Sequence, residues 1–254
     1  MNLSGKNVWL IGASTGIGAA LVPELMAQGA RLAISSRSEQ QLRDLASRHS
    51  RADAPIAVHT LDVTESGAIA RVEAELRAGW GRIDVLIYNA GTWAPVDVDA
   101  WDVSAFESMI AVNYTGMMRA IAAVLPAMLA RSGGEIVGVG SLSAYGAFPR
   151  GEAYGSTKAA VNYLLQALRF DVAKRGVGVT TVNPGFVKTR LTDTNDFPMP
   201  FLLKPEQAAC SIVRGMLAGK TEIHFPLRLS VPLKLLTALP QPLYEWLAVR
   251  VLKG

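Results

Sequence analysis

Cysteine is almost absent from this chain: one residue, Cys210, stands among 254. A single thiol cannot close an intrachain disulfide, which excludes a disulfide scaffold and points to a reducing compartment. Histidine is nearly as scarce. His49, His59 and His224 are scattered, and together with Cys210 they make no metal-ligand pattern, so no metal site is expected. Charged residues are few, at 18%. No Lys/Arg run interleaved with aromatics occurs, which argues against a nucleic-acid surface. No uninterrupted apolar stretch reaches the ~18–20 residues of a membrane span. The opening residues, Met1 to Lys6, lead into an apolar run without a signal-peptide core. The expectation is a soluble, cytoplasmic protein.

Apolar residues, by contrast, make up 50% of the chain, enough to bury a sizeable core and to exclude disorder. Short apolar runs alternate with longer segments of helical period, the signature of parallel βαβ units. Candidate strands are Asn7–Ile11, Arg31–Ser35, Ile56–Leu61, Val85–Tyr88, Glu135–Val139, Val177–Asn183 and Glu222–Phe225. Helical stretches lie near Gly16–Gln28, Glu39–Arg48, Ser66–Ala78, Val103–Leu129, Ala153–Lys174 and Pro205–Leu217. Right-handed crossovers then put helices on both faces of one open parallel sheet of about seven strands, a Rossmann-type α/β fold. No linker, low-complexity segment or repeat divides the chain, so residues 1–254 are read as one domain.

The first strand runs into Gly12-Ala13-Ser14-Thr15-Gly16-Ile17-Gly18 and then a helix. Glycines at a strand-to-helix turn let a pyrophosphate approach the backbone, and the helix start supplies free N–H groups and a positive dipole end. The spacing G-x-x-x-G-x-G differs from the usual G-x-G-x-x-G dinucleotide fingerprint.

With this loop, several further segments appear in order. They are Leu61-Asp62-Val63, Asn89-Ala90-Gly91, Asn113, Ser141 with Tyr154-Gly-Ser-Thr-Lys158, and Pro184-Gly185-Phe186-Val187-Lys188-Thr189. The set resembles the short-chain dehydrogenase/reductase family, the branch of NAD(P)-dependent oxidoreductases with a Ser/Tyr-x-x-x-Lys site. The resemblance runs from about Gly5 to Thr189 and continues loosely to Phe225. It implies that Gly12, Ser14, Thr15, Gly16, Ile17 and Gly18 hold the cofactor phosphates. By the same resemblance Asp62 and Val63 meet the adenine, and Asn89, Ala90 and Gly91 brace the sheet beside the cofactor. Pro184, Gly185, Val187 and Thr189 meet the nicotinamide carboxamide. Asn113, Ser141, Tyr154 and Lys158 form the implied catalytic set, with Asn113 holding a water that links Lys158 to solvent.

The second strand ends in Ser36-Arg37. NAD sites usually place an acid here for the ribose 2′-hydroxyl, whereas NADP sites use Arg for the 2′-phosphate. A guanidinium binds that phosphate through charge-assisted, forked hydrogen bonds, and no acid is present to repel it. NADP(H) is therefore expected over NAD(H).

Tyr154 and Lys158 are four apart and share a helix face. Reduction of a carbonyl needs a proton donor at oxygen while hydride reaches carbon, and a free phenol, pKa about 10, is poorly matched to neutral pH. The Lys158 ammonium and the oxidised nicotinamide are both expected to lower it. Lys158 can also reach the nicotinamide ribose. Ser141 is expected to orient the substrate oxygen, with Ser143 as its rival. Trp93, Phe148 and Phe186 are candidates for an apolar pocket, which suggests a bulky ketone, aldehyde or secondary alcohol. A cofactor-binding sensor or scaffold without turnover is the alternative.

Two stretches depart from the alternation. Residues 186–204 are expected to be a mobile substrate lid, with Leu191, Phe197, Met199 and Phe201 closing over the substrate. Residues 227–254 are an apolar extension. The family's common tetrameric members end in a Gly-rich segment, G-Q-x-L-x-V-D-G-G, that this chain lacks, so a homodimer is favoured over a tetramer. Residues 1–200 carry 18 Lys/Arg and 18 Asp/Glu, whereas residues 201–254 carry 7 and 3, so the net charge of +4 lies entirely at the C-terminal end. The extension can pack beside the substrate mouth, cover a dimer partner, or rest on a membrane. Pro232, Pro240 and Pro242 are expected to break it into pieces too short to span a bilayer, and its all-round apolar end favours burial over peripheral membrane contact.

Overall fold

The computed structural model describes residues 1–193 and 195–252, with the side chains of Val249, Val251 and Leu252 left aside. Thr194, Lys253 and Gly254 lie outside the described residues, so the sequence readings at Val249, Val251, Leu252 and Lys253 are not tested.

Seven parallel strands form one sheet: β1 (Asn7–Ile11), β2 (Arg31–Ser36), β3 (Ala57–Thr60), β4 (Val85–Tyr88), β5 (Gly134–Val139), β6 (Val177–Pro184) and β7 (Glu222–Phe225). Their spatial order is β3-β2-β1-β4-β5-β6-β7. The intervening helices are α1 (Gly16–Ala27), α2 (Glu39–His49), α3 (Ala68–Trp80), α4 (Val103–Met109), α5 (Gly116–Ala130), α6 (Glu152–Val172) and α7 (Pro205–Leu217). This is the expected doubly wound fold, and element limits differ from expectation by one or two residues.

The pattern of β1 shows why. Val8 and Leu10 belong to one buried cluster and pack with Leu21, Leu25, Ile212 and Val213, while Trp9 and Ile11 belong to the other, with Val72, Met117 and Val124. Both faces are covered, so the strand reads as an unbroken apolar run. Each such side chain, fully buried, contributes about 1.5–3 kcal/mol. The indole N–H of Trp9 is satisfied by Ser35 Oγ at 2.9 Å.

The chain crosses from β3 at one edge back to β4, which pairs with β1 on its other side. At that reversal the crossovers leave on opposite faces, opening a crevice beyond the carboxyl ends of β1 and β4.

Two features bear on the sequence reading. Val103–Ala130 is one continuous helix, long and apolar enough to cross a membrane by length and composition. In this fold it buries Met109, Met117, Ala120, Ile121, Val124 and Met128 against the sheet and its neighbours. The extension is parted at Pro240 into two helices too short to span a bilayer, as expected. It forms α8 (Leu227–Thr237), which runs through Pro232, and α9 (Gln241–Leu252), with Pro242 in its first turn. The missing N–H of Pro242 is one of the helix-start donors that have no intrahelical partner anyway, so it is tolerated there. Against expectation, the extension is not buried all round: Leu227 (63% exposed), Val231, Leu235 (67%), Leu243 and Trp246 face outward. Only one side of α8 meets the rest of the chain. Leu227, Val231 and Leu235 recur every four residues and form a single outward stripe.

Candidate active site

The glycine loop lies at the crevice. Gly12 adopts φ +87°, and a Cβ there would stand 2.5 Å from the Ala90 backbone nitrogen. A Cβ at Gly18 would stand 2.0 Å from the Gly12 carbonyl oxygen. Only glycine lets the first turn of α1 come so close to the end of β1. Asn89 locks the arrangement by donating from Nδ2 to that same carbonyl at 2.8 Å. Thr15 precedes α1 in extended conformation, and no side chain caps the helix. Ser14 and Ile17 flank this helix start, whose first N–H groups have no intrahelical acceptor. Free N–H groups and close-packed glycines at a helix start are the features a pyrophosphate site uses. The Thr189 methyl carbon would lie 2.8 Å from a Cβ at Gly16, which brings the Pro184–Thr189 segment onto the same loop.

At the end of β2, Ser36 Oγ accepts from the Ser38 amide at 3.3 Å, and Arg37 is exposed, with no ion pair among the described residues. Asp62, beside Val63, holds Thr64 through its amide (2.9 Å) and hydroxyl (2.7 Å). Those bonds, opposed by partial burial and helped by the Arg37 charge, keep the Asp62 carboxyl below its usual range.

Asn113 is fully buried, in a π-helical turn (Ile110–Thr115) between α4 and α5. Tyr88 explains the turn. Its hydroxyl donates to the Val112 carbonyl at 2.6 Å, and a Cβ at Gly116 would collide with that hydroxyl. A wider helical turn frees a backbone carbonyl for such a partner, and these turns gather at functional sites. The Asn113 side chain is spent within the protein. Nδ2 donates to the Thr92 carbonyl and Thr157 Oγ1, both at 3.0 Å, and Oδ1 accepts from the Thr92 amide at 2.8 Å. Both Asn113 donors are thus used, so a water here would be held by a carbonyl oxygen of the residue and not by its NH2. What the side chain does is clamp the loop after β4 to α6.

Ser141 begins a 3₁₀ turn (Leu142–Ala144), and its Oγ accepts from the Ser143 amide at 3.1 Å. It also stands beside the Tyr154 phenol, close enough to favour the phenolate against burial. This separates the two candidate serines: Ser141 is the one beside Tyr154, while the buried Ser143 hydroxyl has no partner. Lys158 is buried, donates to the Val139 carbonyl at 2.9 Å and stands 5.6 Å from the Tyr154 ring centre. Lys158 Nζ and Asn113 Oδ1 lie 3.5 and 3.4 Å from the position a Cβ at Gly91 would take, so both border one small space. All four residues therefore converge.

The ionisation of the site differs from expectation. Burial pushes the Tyr154 phenol up to about 12, opposed by the nearby Ser141 hydroxyl, and burial brings the Lys158 ammonium down to about 8. Desolvation of the charged forms outweighs the attraction expected between them.

Among the pocket candidates, Phe186 meets Phe197 edge-on at 6.0 Å. Trp93 and Phe148 are half-buried in the loops after β4 and before α6, and neither ring pairs with the Phe186 ring among the described residues. The 186–204 segment has its ends pinned together: Leu203 donates to the Phe186 carbonyl at 3.0 Å and Lys188 to the Leu203 carbonyl at 2.9 Å. Within it Phe197 meets Phe186 yet stays exposed, as does Phe201, so neither closes over the site. Sequence reading missed Thr92, Thr157 and Tyr88. Each acts through a contact between distant elements, for which the sequence holds no local signal.

Fold and site together define a dinucleotide-binding oxidoreductase class with a Tyr/Lys pair beside the crevice. The family model described as short chain dehydrogenase matches residues 6–197, and the chain belongs to that family of oxidoreductases, which bind nicotinamide cofactors. An uncharacterized oxidoreductase of Myxococcus xanthus is 34% identical over 249 residues, 98% of either chain. A short-chain dehydrogenase from Streptomyces avermitilis superposes with a TM-score of 0.84 at 25% identity, covering 99% of this chain and 100% of that one. One from Sphingobium yanoikuyae, solved in complex with NADPH, gives 0.80 at 26%, covering 93% and 97%.

Proposed function

We propose that the protein is an NADP(H)-dependent carbonyl reductase or alcohol dehydrogenase acting on an apolar, bulky substrate. The observation that carries this reading is the convergence of Ser141, Tyr154 and Lys158 beside the glycine cradle. The cofactor would supply or accept hydride. Gly12 to Gly18 would hold its phosphates, Asp62 and Val63 its adenine, and Pro184, Gly185, Val187 and Thr189 its nicotinamide end. Arg37, exposed and without an ion pair among the described residues, supports NADP(H) over NAD(H).

In reduction, Tyr154 holds its proton at the phenolic oxygen and passes it to the carbonyl oxygen, which Ser141 orients. Lys158, which stands 5.6 Å from the Tyr154 ring centre, would hold the nicotinamide ribose and keep positive charge near the phenol. In oxidation the Tyr154 phenolate accepts the proton from the alcohol. Asn113 sets the Lys158 surroundings by tying Thr92 to Thr157. A panel of apolar ketones and aldehydes, followed by NADPH consumption, tests the reading. Turnover lost in Tyr154→Phe with NADPH still bound supports it. NADPH binding with no turnover of any carbonyl or alcohol would favour a cofactor-binding sensor.

The reading includes a homodimer through α4, α5 and α6, where Tyr163 (77% exposed) and Phe170 (69%) share one outward face. It places the enzyme in the cytoplasm, where a free Cys210 stays reduced.

A further inference from the structure

A polar chain leads from the C-terminal extension to the catalytic loop. Lys234 on α8 donates to Glu222 Oε2 at 2.5 Å and lies 5.1 Å from the Tyr145 ring centre. The other Glu222 oxygen accepts from the Tyr145 hydroxyl at 2.6 Å. Asn183, buried at the end of β6, directs Nδ2 toward the Tyr145 oxygen (3.3 Å) and Glu222 Oε1 (3.4 Å). Its Oδ1 accepts from the Ser141 backbone amide at 3.0 Å.

The order of donors and acceptors is fixed by chemistry. An ammonium only donates and an ionised carboxylate only accepts, so Tyr145 must turn its proton to Glu222. The Asn183 NH2 then faces that acceptor pair, which leaves its carbonyl oxygen for Ser141. Loss of the Lys234 charge frees the Glu222 carboxylate to swing away, and loss of the Tyr145 hydroxyl leaves Asn183 Nδ2 a single long contact of 3.4 Å; either loosens the amide that accepts from the Ser141 N–H. A second contact ties the same segment to the extension: Tyr244 donates to the Ala147 carbonyl at 2.8 Å.

We propose that Lys234, Glu222, Tyr145 and Asn183 are positioning residues through which the C-terminal extension holds Ser141 in register with Tyr154. None of them touches the glycine cradle. The inference rests on the carbonyl-reductase reading, because it assigns Ser141 the substrate oxygen.

The test uses the full chain and three variants: Lys234→Met, Tyr145→Phe, which removes only a hydroxyl, and Lys234→Arg, which restores the charge. Three measurements are made on each: NADPH affinity, backbone amide exchange at Ser141 and Tyr145, and reduction of benzil as an apolar diketone probe. In Lys234→Met and Tyr145→Phe, exchange at Ser141 should rise and kcat fall roughly tenfold, the effect of one lost charge-assisted hydrogen bond. The KM for benzil and NADPH affinity should move less than about twofold, and Lys234→Arg should recover wild-type values. Unchanged exchange at Ser141 in both variants overturns the proposal, as does an unchanged kcat. Exchange needs no turnover. A wild-type chain inactive on benzil therefore counts against the carbonyl-reductase reading alone, while exchange still decides whether the extension holds Ser141.

Discussion

At the level of single residues, the Tyr154–Lys158 pair is poised by burial rather than by mutual attraction. Tyr154 is raised to about 12 and holds its proton through the neutral range, as a donor to a carbonyl must. Lys158, lowered to about 8, loses its charge just above neutrality. The signs then follow for each direction. Ketone reduction at saturating NADPH should fall above about pH 8, as the ammonium deprotonates, while alcohol oxidation, which needs the phenolate, should climb with pH. Initial rates across pH 6–10 give both slopes. Lys158→Arg, which stays charged throughout, should flatten the reductive limb at a lower rate; an unchanged limb there would assign it to another group. Arg37 carries the other residue-scale prediction. Arg37→Asp removes a charge-assisted contact and adds repulsion, which should weaken NADPH by about 2–4 kcal/mol while sparing NADH. Fluorescence titration of both cofactors checks this, and tighter wild-type binding of NADH than NADPH would overturn the assignment.

Among the elements, what was legible in the sequence was whatever depends on neighbours along the chain. The β1–glycine–α1 unit could be read because strand, turn and helix adjoin, and Tyr154 and Lys158 because α6 sets their spacing. Tyr88 bonding Val112 and Asn183 bonding Ser141 were invisible, since each joins elements whose pairing only the folded sheet decides. The 186–204 segment was half legible. Its proline content and lack of period marked a loop, but not the latch from Arg150 Nη1 to Asp196 Oδ1, 2.6 Å long. Arg150 holds φ +61°, a left-handed conformation that is costly for a side-chain-bearing residue. The pair is exposed and contributes at most about 1 kcal/mol. Asp196→Ala should therefore leave the melting temperature within a few degrees and speed proteolysis across 186–204. Limited proteolysis followed by mass spectrometry reads the cleavage site, and a cleavage rate equal to wild type would remove the latch from the account.

For the molecule as a whole, the extension is the part with two opposed faces. Inward, Ser230 is fully buried against His224 Nδ1 at 2.8 Å, Lys234 meets Glu222, and Tyr244 reaches Ala147. Outward, Leu227, Val231 and Leu235 remain exposed. Apolar content alone could not tell these faces apart, because the inward contacts are made by Ser230, Lys234 and Tyr244 scattered among leucines. Two variants separate them. Truncation after Pro226 removes both faces and strands Glu222 beside Tyr145 without its cation, so stability should fall by about 2–3 kcal/mol. For a chain of this size that lowers the melting temperature by about 5–10 °C. The double variant Val231→Glu/Leu235→Glu changes only the outward stripe and leaves Ser230 and Lys234 in place, so it should stay within about 0.5 kcal/mol of wild type. Calorimetry on both chains, with sedimentation to follow mass, gives the comparison. A truncated chain that melts with the wild type would show that the inward contacts contribute nothing. A double variant that melts as early as the truncation would show instead that the stripe is covered in solution.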